Sequence, residues 1–220
     1  MKYLVTTFPY QPVEIEGLTV LGISDTQLYW QILNGLLDPE SEKVIVSIND
    51  KVVKKEYRVL GDIAGISEVS SLFKKQAMSK LTAYLDEHIQ QRMFEIDCEI
   101  KTMLWQVISE SDLPLEITDG WDVGNVLKAQ NINVSSLETG SGYDKMDSII
   151  NIASELSDTS LLIFSNVHLY LSLEQIDYLF EDIKQKELSV LFLEKTTSKL
   201  RLAPEFADNN HFIDDDFVQL

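Results

Sequence analysis

One cysteine in 220 residues, Cys98, rules out an internal disulfide and fits a reducing cytoplasm. Long apolar runs are also missing. The longest, 161–164 and 190–193, are four residues each, against the roughly 20 a bilayer span needs, so no membrane segment is expected. The first residues carry neither an apolar leader core nor a small-residue cleavage site, which marks nothing for secretion. With 9 Gly and 5 Pro the chain is neither collagen-like nor low-complexity, and 45% hydrophobic against 25% charged residues excludes wholesale disorder. Positive charge is scarce as well: 18 Lys+Arg face 36 Asp+Glu, a net charge of −18, which by overall footprint argues against a nucleic-acid partner.

The distribution qualifies that argument. Residues 1–42 hold one basic and six acidic groups, 43–101 ten and nine, and 102–220 seven and twenty-one. Screening confines exposed charges to about 10 Å at 0.1 M salt, so a local basic channel can hold phosphates on an acidic protein. The length suits one large domain, or one domain with a helical extension, at about 150 residues per domain.

Along the chain, residues 2–6 and 18–23 read as strands. Ser24-Asp25-Thr26-Gln27 then reads as a Ser-x-x-Gln capping box before Leu28, Ile32, Leu33 and Leu36. Residues 43–48 and 52–59 flank the turn pair Asn49-Asp50 and predict a hairpin. From 69 to 109 there is no Gly or Pro, and Leu81, Leu85, Ile89, Ile96, Ile100, Met103 and Val107 recur at three, four or seven. That predicts one long amphipathic helix, spanning about 60 Å, or two consecutive ones, whose apolar stripe needs a partner such as another copy of the chain. After Pro114 a helix capped by Asp119 is expected to about Gln130, then a strand at 132–135, a helix using Met146, Ile149, Ile150, Ala153 and Leu156, and a buried strand at 160–164. A second capping box, Ser172 to Gln175, opens another helix before a strand at 188–193. Continuous apolar strands between helices indicate a mainly parallel sheet, an α/β domain built from 1–60 and 114–220 with a helical insertion at 61–113. The tail 214–218 offers a short edge strand.

The junction after the second strand lies where an α/β nucleotide-binding protein places its phosphate loop. Gly22-Ile23-Ser24-Asp25-Thr26-Gln27-Leu28 lacks the second glycine and the lysine of G-x-x-x-x-G-K-[ST], and it puts Asp25 where an anion would sit. The strand at 161–164 ends in Ser165-Asn166, without the acid that serves magnesium. A nucleotide-dependent enzyme is therefore disfavoured. His88, His168 and His211 fit no zinc spacing and suit surface or cap roles. No G-x-S-x-G elbow occurs, and Cys98, mid-helix, reads as a buried structural thiol.

Two charged groups remain. Asp112, Glu116, Asp119 and Asp122 bracket the return from the insertion, and loop carboxylates at short spacing suit a hard cation such as calcium; equally, Asp119 and Asp122 suit a helix start without any metal. Lys51, Lys54, Lys55 and Arg58 are the densest basic group, Lys74 and Lys75 come next, and Lys128 and Lys145 stand alone in the acidic half. A solvated strand face explains the first group. Phosphate contact would need several groups on one concave surface, which oligomerisation supplies.

The element order, together with Leu161-Leu162-Ile163-Phe164-Ser165-Asn166, Leu173-Glu174-Gln175 and Ser189-Val190-Leu191-Phe192-Leu193-Glu194, resembles the Csn-two family, the type II-A CRISPR-associated adaptation subunit. Leu113-Pro114-Leu115-Glu116, Val126-Leu127-Lys128 and Asn133-Val134 fit the same resemblance. It implies a head like a degenerate P-loop ATPase, an extended helical leg, and a cytoplasmic, ring-shaped homotetramer that uses Ca2+ and encircles double-stranded DNA. It further implies a role in spacer acquisition for CRISPR antiviral defence, beside the integrase subunits and the RNA-guided effector nuclease, without catalysis of its own. Under the resemblance the metal role falls to Glu116, Asp119 and Asp122, with Glu138 and Glu155 from the following segment, and DNA contact to Lys51, Lys54, Lys55, Lys128 and Lys145. A protein-interaction scaffold with no DNA role is the competing class.

Overall fold

The computed structural model describes residues 3–111, 113–118, 120–135 and 140–220. Contacts group the chain into two compact units, 1–69 with 136–220 and 70–135.

Among the described residues the first unit holds two sheets. The antiparallel one has the order β2(Val13–Ile15)-β1(Tyr3–Thr7)-β4(Val44–Ile48)-β5(Lys51–Val52). The other is parallel throughout, in the order β6(Tyr57–Asp62)-β7(Leu161–Ser165)-β8(Ser189–Lys195)-β3(Leu18–Ile23)-β9(Asn210–Ile213). Every residue of β3 and β7 is buried, as continuous apolar strands covered on both faces should be. On one face Leu21, Ile23, Leu161, Ile163, Leu191 and Leu193 join Tyr3, Val5 and Ile15 of the antiparallel sheet and Leu28, Ile32 and Leu36 of α1(Thr26–Leu37) in one core. The alternate residues face the other way, where α6(Leu173–Gln185) packs on β3 and on α5(Gly142–Glu155). Tyr3 anchors the antiparallel sheet by donating its hydroxyl to the carbonyls of Glu56 and Thr159 at 2.8 and 2.7 Å.

Several expectations need correction. Asn49 and Asp50, at φ 48° and 62°, do make a hairpin turn, but only β5 pairs with β4. The charged Lys54-Lys55-Glu56 stretch then stays exposed, and Tyr57 onward leaves as β6 to pair in parallel with β7. At α1 the cap is Asp25, whose carboxylate accepts from the Leu28 amide at 2.6 Å, while Ser24 donates its hydroxyl to Asp215 at 2.6 Å. The second capping box forms as read, Ser172 with Gln175. The edge strand is β9 at 210–213, and the tail folds back on it through Ile213 and Gln219.

The second unit is helical among the described residues. The glycine-free stretch forms two helices, α2(Val69–Tyr84), which starts one residue inside the first unit, and α3(Glu87–Glu110), parted at Asp86, which caps α3 by accepting from Ile89. The helix near 120–130 is shorter than expected: α4(Val123–Ala129) begins at an Asp122 cap, and Asp119 lies outside the described residues. Residues 132–135 form no strand, because their unit offers no neighbouring strand among the described residues. No described helix is long and apolar enough to cross a membrane. No side chain of α3 is buried, and Cys98 is exposed on it rather than buried.

Candidate functional site

Open α/β sheets bind ligands in the crevice at the carboxyl ends of their strands, where connections depart in opposite directions. Here β3 is that point, since it leads towards β6 on one side while β8 leads to β9 on the other. The chain's own groups line that crevice. Asp25 occupies the amino end of α1, Asp215 takes the Ser24 hydroxyl, and Thr196 donates its amide to Ile23 and its hydroxyl to Ser198. A phosphate brought there would meet two carboxylates in place of a lysine.

One strand over, Glu194, the penultimate residue of β8, has no exposure at all. Its oxygens accept from the amides of Val167 at 2.9 Å and His168 at 3.3 Å, and the His168 ring pairs with the same carboxylate through Nδ1. Asn166, left-handed at φ 55°, ties the end of β7 to β8 by accepting from the Lys195 amide at 3.0 Å. Glu194 therefore braces a turn, with both of its oxygens engaged by the chain's own groups. Sequence reasoning passed over this pair; the only signal was an acid in register directly behind the apolar run 190–193.

The basic candidates are scattered. Lys51 sits in β5, and Lys54 and Lys55 in the bend after it; all three are exposed, with Lys54 pairing to Glu40. Lys128 is exposed on α4 in the second unit. Lys145 differs: half-buried on α5, it donates to the carbonyls of Ile63 and Ile66 at 3.2 and 2.9 Å, holding a loop. Arg58 is turned inward to Asp158.

Of the acidic candidates, Asp119 and Glu138 lie outside the described residues. Glu116 and Asp122 are exposed in the second unit, and Asp122 spends one oxygen on the Gly124 amide at 2.9 Å. Their segment is fastened to α3: Lys101 donates to the Gly120 carbonyl at 2.8 Å and pairs with Asp97, and Trp121 meets Phe94 edge-on at 5.5 Å. Glu155 is exposed on α5 in the first unit. Among the described residues no group of three or more His, Cys, Asp or Glu side chains could hold a metal ion.

The opposite side of α3 carries an exposed apolar surface. Ile89, Ile96, Ile100, Met103 and Val107 fall within an arc of about 60° at 100° per residue, and each is exposed. They form an apolar stripe five turns long.

The profile of CRISPR-associated protein (Cas_Csn2) matches residues 37–217. CRISPR-associated protein Csn2 of Enterococcus faecalis is 27% identical over 190 residues, covering 84% of this chain and 86% of that one. The protein of the same name from Streptococcus agalactiae is 23% identical over 211 residues, covering 92% and 93%. In fold, the chain is similar to the crystal structure of Stu0660 of Streptococcus thermophilus, with a TM-score of 0.59 at 14% identity, over 100% of this chain and 76% of that one. The apolar strands, the helices between them and a match over most of the length agree, and the chain belongs to the Csn2 (Csn-two) family of CRISPR-associated proteins.

Proposed function

We propose that the chain is a non-catalytic DNA-binding ring protein of spacer acquisition. It assembles as a homotetramer through its helical leg, depends on calcium, and encloses duplex DNA without reading its sequence, beside the integrase subunits and the RNA-guided effector nuclease in the cytoplasm. The head is a nucleotide-binding type of fold that has lost its phosphate loop, a reading supported by Asp25 and Asp215 standing in the crevice.

The observation that carries the DNA reading is the group Lys51, Lys54 and Lys55, three exposed cations within five residues of a chain whose net charge is −18. An acidic exterior confines DNA to whichever surface repeats those lysines from copy to copy. Lys128, in the second unit, is a further candidate for phosphate contact, and Lys145 becomes one only by releasing its two carbonyls. Oxygen-only donors suit calcium, and its candidate ligands are Glu116, Asp119 and Asp122 in one unit and Glu138 and Glu155 in the other.

The test is retention of linear duplexes of different base composition across a salt series with calcium present. Affinity should fall steeply with salt and vary little with sequence, and K51Q/K54Q/K55Q should lower the salt slope by about 2.7 for each subunit in contact. The −18 charge favours a second reading, a protein-interaction scaffold, which predicts no retention in moderate salt.

A further inference from the structure

Around the paired helices α5 and α6 tyrosines lie beside acids. Tyr178 is 59% exposed and donates to Glu174 at 3.3 Å, while Tyr170 is 40% exposed and donates to Asp62 at 2.9 Å. Tyr170 also packs beside Gly142, the first residue of α5, where an added Cβ would stand 2.9 Å from the Tyr170 Cβ. Tyr143 follows Gly142. Burial raises the pKa of its hydroxyl, and the nearby charges of Asp147, Asp182 and Asp144 push it the same way. The two cations here are committed, Lys186 to Asp182 and Lys145 to backbone carbonyls. Beside the tyrosines, Leu169 is 64% exposed.

Flat aromatic faces set among carboxylates of which only Asp182 is paired with a cation suit one ligand chemistry. A guanidinium stacks on a tyrosine ring while its N–H fork reaches a carboxylate, which an ammonium does less well. Duplex DNA is repelled by the same acids. We infer that the Tyr143, Tyr170 and Tyr178 face of α5 and α6 is a docking surface for an arginine-rich segment of a partner protein. This goes beyond DNA binding and stands whether or not the lysines contact DNA.

The test is fluorescence anisotropy of a labelled peptide alternating Arg and Ser, with Lys-Ser and Glu-Ser peptides as comparisons, at about 0.1 M salt. Because the whole chain attracts cations, Y178S/E174Q is compared with E87Q/E99Q, which neutralises exposed acids on α3 instead. The arginine peptide should bind, the lysine peptide more weakly and the glutamate peptide not at all. Y178S/E174Q should weaken arginine-peptide binding about tenfold, and E87Q/E99Q by less than about twofold. Tyr178 and Glu174 are exposed, so circular dichroism should show an unchanged fold. Absent binding, equal losses in the two variants, or duplex DNA binding that Y178S/E174Q removes would each overturn the inference.

Discussion

Replacing Ile100 and Val107 by Asp should break the assembly proposed for this chain. Ile89, Ile96, Ile100, Met103 and Val107 are between 43% and 64% exposed, so about half of each side chain remains for a partner to cover. Full burial of such a side chain contributes about 1.5–3 kcal/mol, which leaves about 1 kcal/mol for each and about 10 kcal/mol for two facing stripes of five. That lies within the cost of association, about 4–15 kcal/mol, so the interface has little to spare. Two residues lost from each of two copies remove about 4 kcal/mol, about a thousandfold in dissociation constant, before the penalty of burying unpaired carboxylates. Light scattering after size exclusion, at micromolar concentration, should show the parent as an oligomer and I100D/V107D as a single chain. Because α3 buries no side chain of its own, helix content should not change. A parent that runs as a monomer, or a variant that keeps the parent's mass, would refute the reasoning.

Three further outcomes are expected. Asp158 is buried, pairs with Arg58, and accepts from the Ser160 amide and hydroxyl at 3.0 and 2.7 Å, so D158A should lower unfolding free energy by about 3–5 kcal/mol in urea; a loss below about 1 kcal/mol would contradict a closed pair. Tyr3, whose pKa is pushed up to about 12 mainly by burial, is protonated in the folded chain when it would already ionise in the unfolded one; stability should be present below about pH 10 and fall between there and about pH 12. Y3F should flatten that fall while losing about 1–3 kcal/mol at neutral pH, since the Glu56 and Thr159 carbonyls lose their donor; an unchanged alkaline slope would count against it. Calcium should raise the melting temperature of the parent and chelator should reverse it, while E116Q/D122N should respond to neither; Asn still caps α4, so an identical calcium shift in the variant would dismiss these ligands.

Local patterns in the sequence determined the elements whose signals are complete within a few residues. The Ser172–Gln175 box closes within one helical turn, the runs at 161–164 and 190–193 are too apolar to lie anywhere but inside, and the absence of Gly and Pro over 69–109 leaves little besides helix. Whether that stretch made one helix or two was open, because the break rests on Asp86 capping Ile89, which a periodicity does not register. Where a residue had two possible partners, tertiary structure decided. Ser24 and Asp25 are equally good caps on paper; the deciding group, Asp215, is 191 residues away. Val52 to Val59 reads as one strand until β7 brings its edge to β6, over a hundred residues on, and takes half of it. Lys145 reads as a free cation, yet, half-buried, it was drawn to the carbonyls of Ile63 and Ile66, and the fully buried Glu194 to the amides of 167 and 168, because a polar group withdrawn from water without a partner costs more than an ion pair in water returns.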